Sequence, residues 1–365
     1  MLRLQAGIPA EYNDASPDDL VERIAAAKES LGDRLFVLGH HYQRDEVMRW
    51  ADARGDSFGL SVLAQQRPEA DYIVFCGVHF MAESADILTA DHQQVVLPDL
   101  NAGCSMADMA NIDEVEEAWD SIAEVTDIER VLPITYMNSS ADLKAFVGEH
   151  GGAVCTSGNA TKAFEWAMGE GDAVFFFPDE HLGRNTGVRL GMSPDAGVVW
   201  DARQATLGGV DPDALASTRL ILWKGFCNVH TQFTTGQIDA ARAEDPDVRV
   251  IVHPECPHPV VAAADEDGST EYIIRRCEEL PSGSSIVIGT DWNLVNRLRQ
   301  EHPDKRIRCL NEHICPCVTM NRITLPKLVW CLESLAEGDI VNEVTVDEDT
   351  ARWAKVALDR MLALA

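Results

Sequence analysis

The chain has 365 residues, 46% of them hydrophobic, enough to bury a large core in two or three domains. Its formal net charge of −30 repels phosphate backbones, which excludes nucleic acid as a partner. No apolar run is long enough to span a membrane, and Met1-Leu2-Arg3-Leu4-Gln5 lacks the apolar core of an export signal, so a cytoplasmic protein with no membrane partner is expected.

The acidic residues are dispersed rather than gathered in a tail. Seven lysines stand against twenty-three arginines. Dispersed carboxylates with little lysine fit a halophilic source, where molar salt screens the self-repulsion. Charge then reports on habitat, not on reaction. The ten cysteines, in a chain of this length without an export signal, read as metal ligands, catalytic thiols or small core residues.

Residues 1 to 33 read as a loop and a helix, with Ser16 as the cap and Pro17 at its first position; Leu20, Ile24 and Ala27 keep helical spacing. Strands are expected at Arg34–Gly39, Asp71–Gly77 and Gln94–Pro98, separated by helical stretches. The pattern restarts at Arg130–Thr135, followed by Ala153–Ser157, Ala173–Pro178 and Leu220–Leu222. It restarts again at Val248–Val252, followed by Ser285–Thr290 and Arg306–Arg308. Short apolar runs alternating with helices indicate α/β lobes with parallel sheets covered on both faces.

The spacing points to a triplication. His40 to Cys104 spans 64 residues, and so does His253 to Cys317; His40 to Ser57 and His253 to Thr270 both span 17. The middle copy is longer, 91 residues from Tyr136 to Cys227, with extra material around Arg184 to Ser217. Each copy offers a first strand ending in a polar pair (His40/Tyr42, Tyr136/Asn138, His253/Glu255). Each then offers a hydroxyl (Ser57, Ser157, Thr270) and a last strand leading to a cysteine (Cys104, Cys227, Cys317). The expected lobes are 1–107, 108–230 and 231–321, with helices in 322–365 packing on the first. In open α/β sheets, ligands bind beyond the carboxyl ends of the strands, so the three ends are expected to build one polar pocket.

Cys76, Cys155, Cys309 and Cys331 sit inside apolar runs and read as core; Cys277 lies in a helical pattern and reads as packing; Cys256 is ambiguous. Cys104, Cys227 and Cys317 stand among small or polar residues. Three thiols with no fourth equivalent suggest an iron–sulfur cluster with one iron open to act as a Lewis acid. Zinc is the alternative, although its ligands usually pair at closer spacing than these.

Several stretches, in this order, resemble the quinolinate synthase family. They are His40-His41-Tyr42-Gln43, Gly55-Asp56-Ser57, Gly77-Val78-His79-Phe80-Met81-Ala82-Glu83, Tyr136-Met137-Asn138-Ser139, Lys224-Gly225-Phe226-Cys227-Asn228-Val229-His230 and His253-Pro254-Glu255-Cys256. The resemblance covers nearly the whole chain. It implies three α/β/α sandwich lobes related by a pseudo-threefold axis around a central active site holding a 4Fe–4S cluster. It implies that iminoaspartate and dihydroxyacetone phosphate condense, lose phosphate and two waters, and close to quinolinate in the biosynthesis of NAD. It also implies a transient contact with the aspartate oxidase or dehydrogenase that supplies iminoaspartate.

The family's cluster ligands fall on Cys104, Cys227 and the stretch Cys315-Pro316-Cys317, where Cys317 keeps the 64-residue repeat. Its binding residues fall on His40, Ser57, Tyr136, Asn138, Ser157, His230, His253, Glu255 and Thr270, and its acid–base residues on Tyr42, His230 and Glu255. Phe226 departs from the small or polar residue expected there. Burial is expected to bring the pKa values of the histidines, tyrosines and Glu255 toward working pH. Lys224 reads equally as a phosphate contact or a solvated side chain.

Two other functions are open to the residues. The terminal reductase of the non-mevalonate isoprenoid pathway shares the three-lobed, three-cysteine plan but needs external electrons. An iron–sulfur sensor or scaffold would lack the His, Tyr and Glu lining.

Overall fold

A computed structural model describes residues 3–364, and the side chain of Phe58 is excepted. Residues 1, 2 and 365, which bound the expected first lobe and closing segment, lie outside the described residues. In the first lobe, helices α1 (Ala10–Asp14) and α2 (Pro17–Leu31) precede β1 (Leu35–His40). Then come α3 (Asp45–Met48), β2 (Ala53–Gly55), α4 (Ser57–Gln65), β3 (Tyr72–Cys76), α5 (His79–Leu88) and β4 (Gln94–Val96). The second lobe holds α6 (Ile112–Ala123), β5 (Val131–Tyr136), α7 (Ala141–Glu149), β6 (Ala153–Cys155), α8 (Ala160–Glu170) and β7 (Ala173–Phe177). It continues with α9 (Glu180–Arg189), β8 (Val198–Trp200), α10 (Pro212–Ser217) and β9 (Leu220–Trp223). The third holds α11 (Thr235–Glu244), β10 (Arg249–Val252), α12 (His258–Ala263), β11 (Glu266–Asp267), α13 (Thr270–Glu279), β12 (Ser285–Gly289), α14 (Trp292–Glu301) and β13 (Arg306–Cys309). Helices α15 (Leu325–Glu337) and α16 (Glu348–Ala363) close the chain.

All three sheets are parallel and share one strand order. The first is β2-β1-β3-β4 and the third β11-β10-β12-β13; the second is β6-β5-β7-β9 with β8 added beyond β9. The extra material of the middle copy is therefore an added edge strand and its connections. The central strands read as continuous apolar runs because helices cover both faces: every residue of β1 and of β7 is buried. Helix starts follow local chemistry. Ser16 accepts from Asp19 N ahead of Pro17, and Thr234 and Gln237 form a reciprocal capping box on α11.

By internal packing the chain forms two units. One runs to Cys104 and resumes over Pro316–Asp347; the other is Ser105–Cys315 with Glu348 onward. In the first unit, α15 packs on α2, and Arg23 grips Glu333 through two hydrogen bonds of 2.8 and 2.6 Å. The last helix departs from expectation. α16 packs on α7 and β6 of the second lobe rather than on the first. Gly148 permits this: a Cβ there would stand 2.0 Å from the carbonyl oxygen of Trp353. Arg360 donates to the Gly152 carbonyl, and Asn159 Nδ2 donates to the Met361 carbonyl at 3.4 Å. Among the described residues, no helix is long and apolar enough to cross a membrane.

Candidate active site

The strand ends repeat one turn. In the first lobe the Tyr42 N–H donates to His40 Nδ1 at 3.1 Å and the Gln43 N–H donates to the His40 carbonyl at 2.9 Å. In the third lobe the Glu255 N–H donates to His253 Nδ1 at 3.3 Å and the Cys256 N–H to the His253 carbonyl at 3.0 Å. In the second lobe Ser139 Oγ takes the equivalent place, donating to the Tyr136 carbonyl at 2.8 Å. Each imidazole thereby has Nδ1 as acceptor, which leaves its proton on Nε2. His40 also packs its ring edge-on to Tyr42, 5.0 Å between centroids.

The cysteines share a register too. Short 3-10 turns begin at Ala107, His230 and Met320, three residues after Cys104, Cys227 and Cys317 (107 − 104, 230 − 227 and 320 − 317). The caps Asn111, Thr234 and Thr324 of the following helices each stand seven residues on (111 − 104, 234 − 227 and 324 − 317). The Thr231 N–H donates to the Cys227 carbonyl at 3.1 Å, and the Asn321 N–H to the Cys317 carbonyl at 3.0 Å. Cys315 falls outside this register and is exposed, whereas Cys104, Cys227 and Cys317 are half-buried. The remaining six cysteines are buried, and burial pushes their thiols up, Cys309 to about 11 and Cys76 and Cys277 to about 12. Such thiols are inert, which places the ambiguous Cys256 with the core.

Within the second unit, four of the expected residues form one buried cluster. Tyr136 donates its hydroxyl to Glu255 Oε1 at 2.6 Å, and His230 Nδ1 donates to Oε2 at 2.8 Å. His230 Nε2 lies 3.1 Å from Thr290 Oγ1, and its ring stacks on that of His253 at 4.5 Å. Ligand atoms of Cys227, His230 and Glu255 all lie within 4.8 Å of one another, a group able to hold a metal ion. The thiol and the acid–base groups thus share one site.

Burial works against the charge on Glu255, but His230 and the hydrogen bonds from His230 and Tyr136 outweigh it and hold the carboxyl at about 2. Burial pushes the His253 imidazole down to about 3 despite the neighbouring carboxylate, so His253 is neutral. Both shifts run away from neutral pH, which corrects the expectation that burial tunes these groups toward it. Asp179 carries the opposite shift. It is fully buried at the cap of α9, and burial together with the charge of Glu255 pushes its carboxyl well above the usual range. Its Oδ1 accepts from the Leu182 N–H at 2.8 Å, while Oδ2 has no hydrogen-bond partner among the described residues. The two neighbouring carboxyls are therefore pushed in opposite directions, Glu255 down and Asp179 up.

Ser57 and Thr270 are the first residues of α4 and α13, capped by Asp56 and Ser269; Ser157 instead lies in the turn before α8. That turn faces the start of α13, since a Cβ at Gly158 would sit 3.7 Å from Ser269 Oγ. Helix starts bearing hydroxyls suit carboxylates and phosphates without any basic patch. Asn138 is half-buried just beyond β5. Lys224 is exposed and paired with Asp201 at 2.9 Å. Gly225, next to it, admits no side chain, since a Cβ would stand 2.1 Å from the Pro178 carbonyl. Thr290 and Asp179 went unassigned in the sequence. The strand-end position of Thr290, 20 residues after Thr270 as Gly77 is after Ser57 (290 − 270 and 77 − 57), was the one signal for it.

Three repeated parallel α/β sheets, with a buried carboxylate, imidazoles and a phenol hydrogen-bonded beside a half-buried thiol, are the framework of an enzyme. The chain belongs to the quinolinate synthetase A protein family, whose profile matches residues 22–363. It is 57% identical to the quinolinate synthase of Nocardioides sp., over 98% of this chain and 92% of that protein. It is likewise 57% identical to the quinolinate synthase of Streptomyces coelicolor, over 98% and 91%, and 55% identical to that of Geobacillus kaustophilus, over 98% and 97%.

Proposed function

We propose that this chain is an enzyme of NAD biosynthesis that condenses iminoaspartate with dihydroxyacetone phosphate to give quinolinate, phosphate and water. The observation that carries the reading is identity above half, over nearly the full length, to relatives named quinolinate synthase. The residues fit the reaction. Two carboxylates and a phosphate need donors: Ser57, Ser157 and Thr270 beside helix starts, Asn138, and the Nε2–H groups of His40 and His253 are the donors proposed for them. Because His253 is neutral, it serves as a hydrogen-bond donor rather than a cation.

Protons must leave carbon and reach departing hydroxyls. Glu255 is already ionised and enters as a base. Tyr136 and His230, each within 2.8 Å of its oxygens, are placed to pass protons through it. Tyr42 is assigned an acid–base role by the family resemblance alone.

Cys104, Cys227 and Cys317 are the thiols proposed for a 4Fe–4S cluster. Their common register and partial burial support the assignment, against six thiols that burial keeps protonated. Bound there, the cluster supplies an open iron as Lewis acid for a leaving hydroxyl. The same reading takes the lobes as 1–107, 108–230 and 231–321, an aspartate oxidase or dehydrogenase as the source of iminoaspartate, a cytoplasmic location, and a high-salt cytoplasm as the cause of the charge.

The test is anaerobic purification with an iron count and visible spectrum, followed by assay with iminoaspartate and dihydroxyacetone phosphate. Quinolinate formed without added reductant supports the reading. Turnover that requires an electron donor favours the reductase, and cluster without turnover favours a sensor.

A further inference from the structure

Glu255 lies in a third-lobe loop, yet its hydroxyl partner Tyr136 comes from the second lobe. Something must hold the loop at that distance, since its carbonyls belong to neither sheet nor helix. A side chain of the second lobe does this. Asn185, on α9 of the second lobe and only 2% exposed, donates one amide hydrogen to the Pro254 carbonyl at 2.8 Å and the other to the Cys256 carbonyl at 2.9 Å. These are the residues on either side of Glu255. The amide oxygen accepts from His258 Nδ1 at 2.9 Å, which fixes which way the amide faces. Every hydrogen-bonding atom of the Asn185 side chain is used, and all its partners lie on the segment from Pro254 to His258. The same helix is anchored at its start, where the Glu180 N–H donates to the Gly225 carbonyl at 2.9 Å.

We propose that Asn185 is a positioning residue for Glu255, clamping the loop so that the carboxylate keeps its distance from Tyr136 and His230. The proposal rests on the role given to Glu255 above. It follows from how steeply proton transfer depends on distance: a shift of about 1 Å at a reacting group costs about 10²-fold. A buried loop with two unpaired carbonyls would move to satisfy them.

The test uses the cluster-loaded enzyme and four proteins: wild type, Asn185→Leu, Glu255→Gln and the double variant. Asn185→Leu keeps the size but removes both donors. It should lower kcat by about 10- to 100-fold while KM for either substrate and the iron content change little. In the Glu255→Gln background, Asn185→Leu should cost almost nothing further, because the group it positions no longer works. Asn185→Asp, which keeps the acceptor for His258 and loses donors, should show the same pattern if the leucine variant folds poorly. Losses that multiply in the double variant, or a lower melting temperature with kcat unchanged, would overturn the proposal and leave Asn185 a staple between lobes. If Glu255→Gln alone has no effect, the reading of Glu255 has failed instead, which is a separate result.

Discussion

Replacing Glu255 by Gln separates proton transfer from architecture. The carboxylate accepts two hydrogen bonds, at 2.6 Å from Tyr136 and 2.8 Å from His230. The Gln carbonyl oxygen retains the one from His230. Its amide N–H₂ then faces Tyr136, whose hydroxyl turns to accept. The contacts survive, but the charge assistance is lost; a hydrogen bond to a charged group contributes about 1.5–3 kcal/mol against about 1 for a neutral one. Removing a buried charge offsets part of that loss. The fold should therefore persist, and the thiols are untouched. Turnover should not persist, because Gln takes up no proton: a fall of about 10²–10⁴-fold is expected, or about 3–5 kcal/mol of barrier.

The stability profile carries a second signature. Glu255 is held at about 2 against an ordinary 4.5, so it adds stability that is present above about pH 4.5 and lost as pH falls toward 2. The Gln variant should lack that contribution. The assay is anaerobic quinolinate formation recorded beside the visible spectrum, with denaturant melts across acidic pH. Near-normal turnover with an intact cluster would remove Glu255 from the chemistry and leave Tyr136, Tyr42 or a histidine as the proton carrier.

Cys104→Ala, Cys227→Ala and Cys317→Ala should each abolish cluster assembly while Cys315→Ala retains it; iron surviving loss of Cys317 but not of Cys315 would refute the register assignment. The net charge of −30 predicts a fold lost at low salt and regained in molar KCl through screening, and a melting temperature independent of KCl would refute that. Asp179→Asn should stabilise the protein at neutral pH. With its folded pKa raised above 3.8, Asp179 costs stability as pH rises from that value up to its folded pKa, and Asn removes the slope; stability curves for the two proteins that run parallel all the way from acid to neutral pH would sink this.

The long central strands were legible because burial on both faces leaves an uninterrupted apolar run, as in Leu220–Trp223 or Ser285–Gly289. Ala53–Gly55 and Glu266–Asp267 were not, because these short edge strands carry charged residues and no apolar run, unlike the equally peripheral Gln94–Val96 and Ala153–Cys155; Val198–Trp200 lay unread within the extra material of the middle copy. The amphipathic spacing of α16 announced a buried face but not its partner; Gly148, whose missing side chain admits Trp353, made that choice. The same limit applied to the site. Which residues stand at strand ends could be counted along the chain. Which of them meet depended on contacts between lobes, so Asn185 carried no signal of its own and Thr290 none beyond its place at a strand end.

The repeat clarifies why counting succeeded as far as it did. A triplicated lobe supplies equivalent places, and those places constrain backbone rather than chemistry. The turn that fixes His40 is the turn that fixes His253, and each cysteine precedes its helix cap by the same seven residues. Chemistry then enters where the copies differ. Tyr136 stands where the other two lobes have histidine, and it is the residue that donates into Glu255. Residue 230, equivalent to Ala107 and Met320, is histidine in the second copy alone, and it closes the other side of the same carboxylate. The positions that break the repeat are thus the ones that hold the Glu255 carboxylate. Restoring the repeat at them, by Tyr136→His or His230→Met, should damage proton transfer without disturbing the register that the cysteines share.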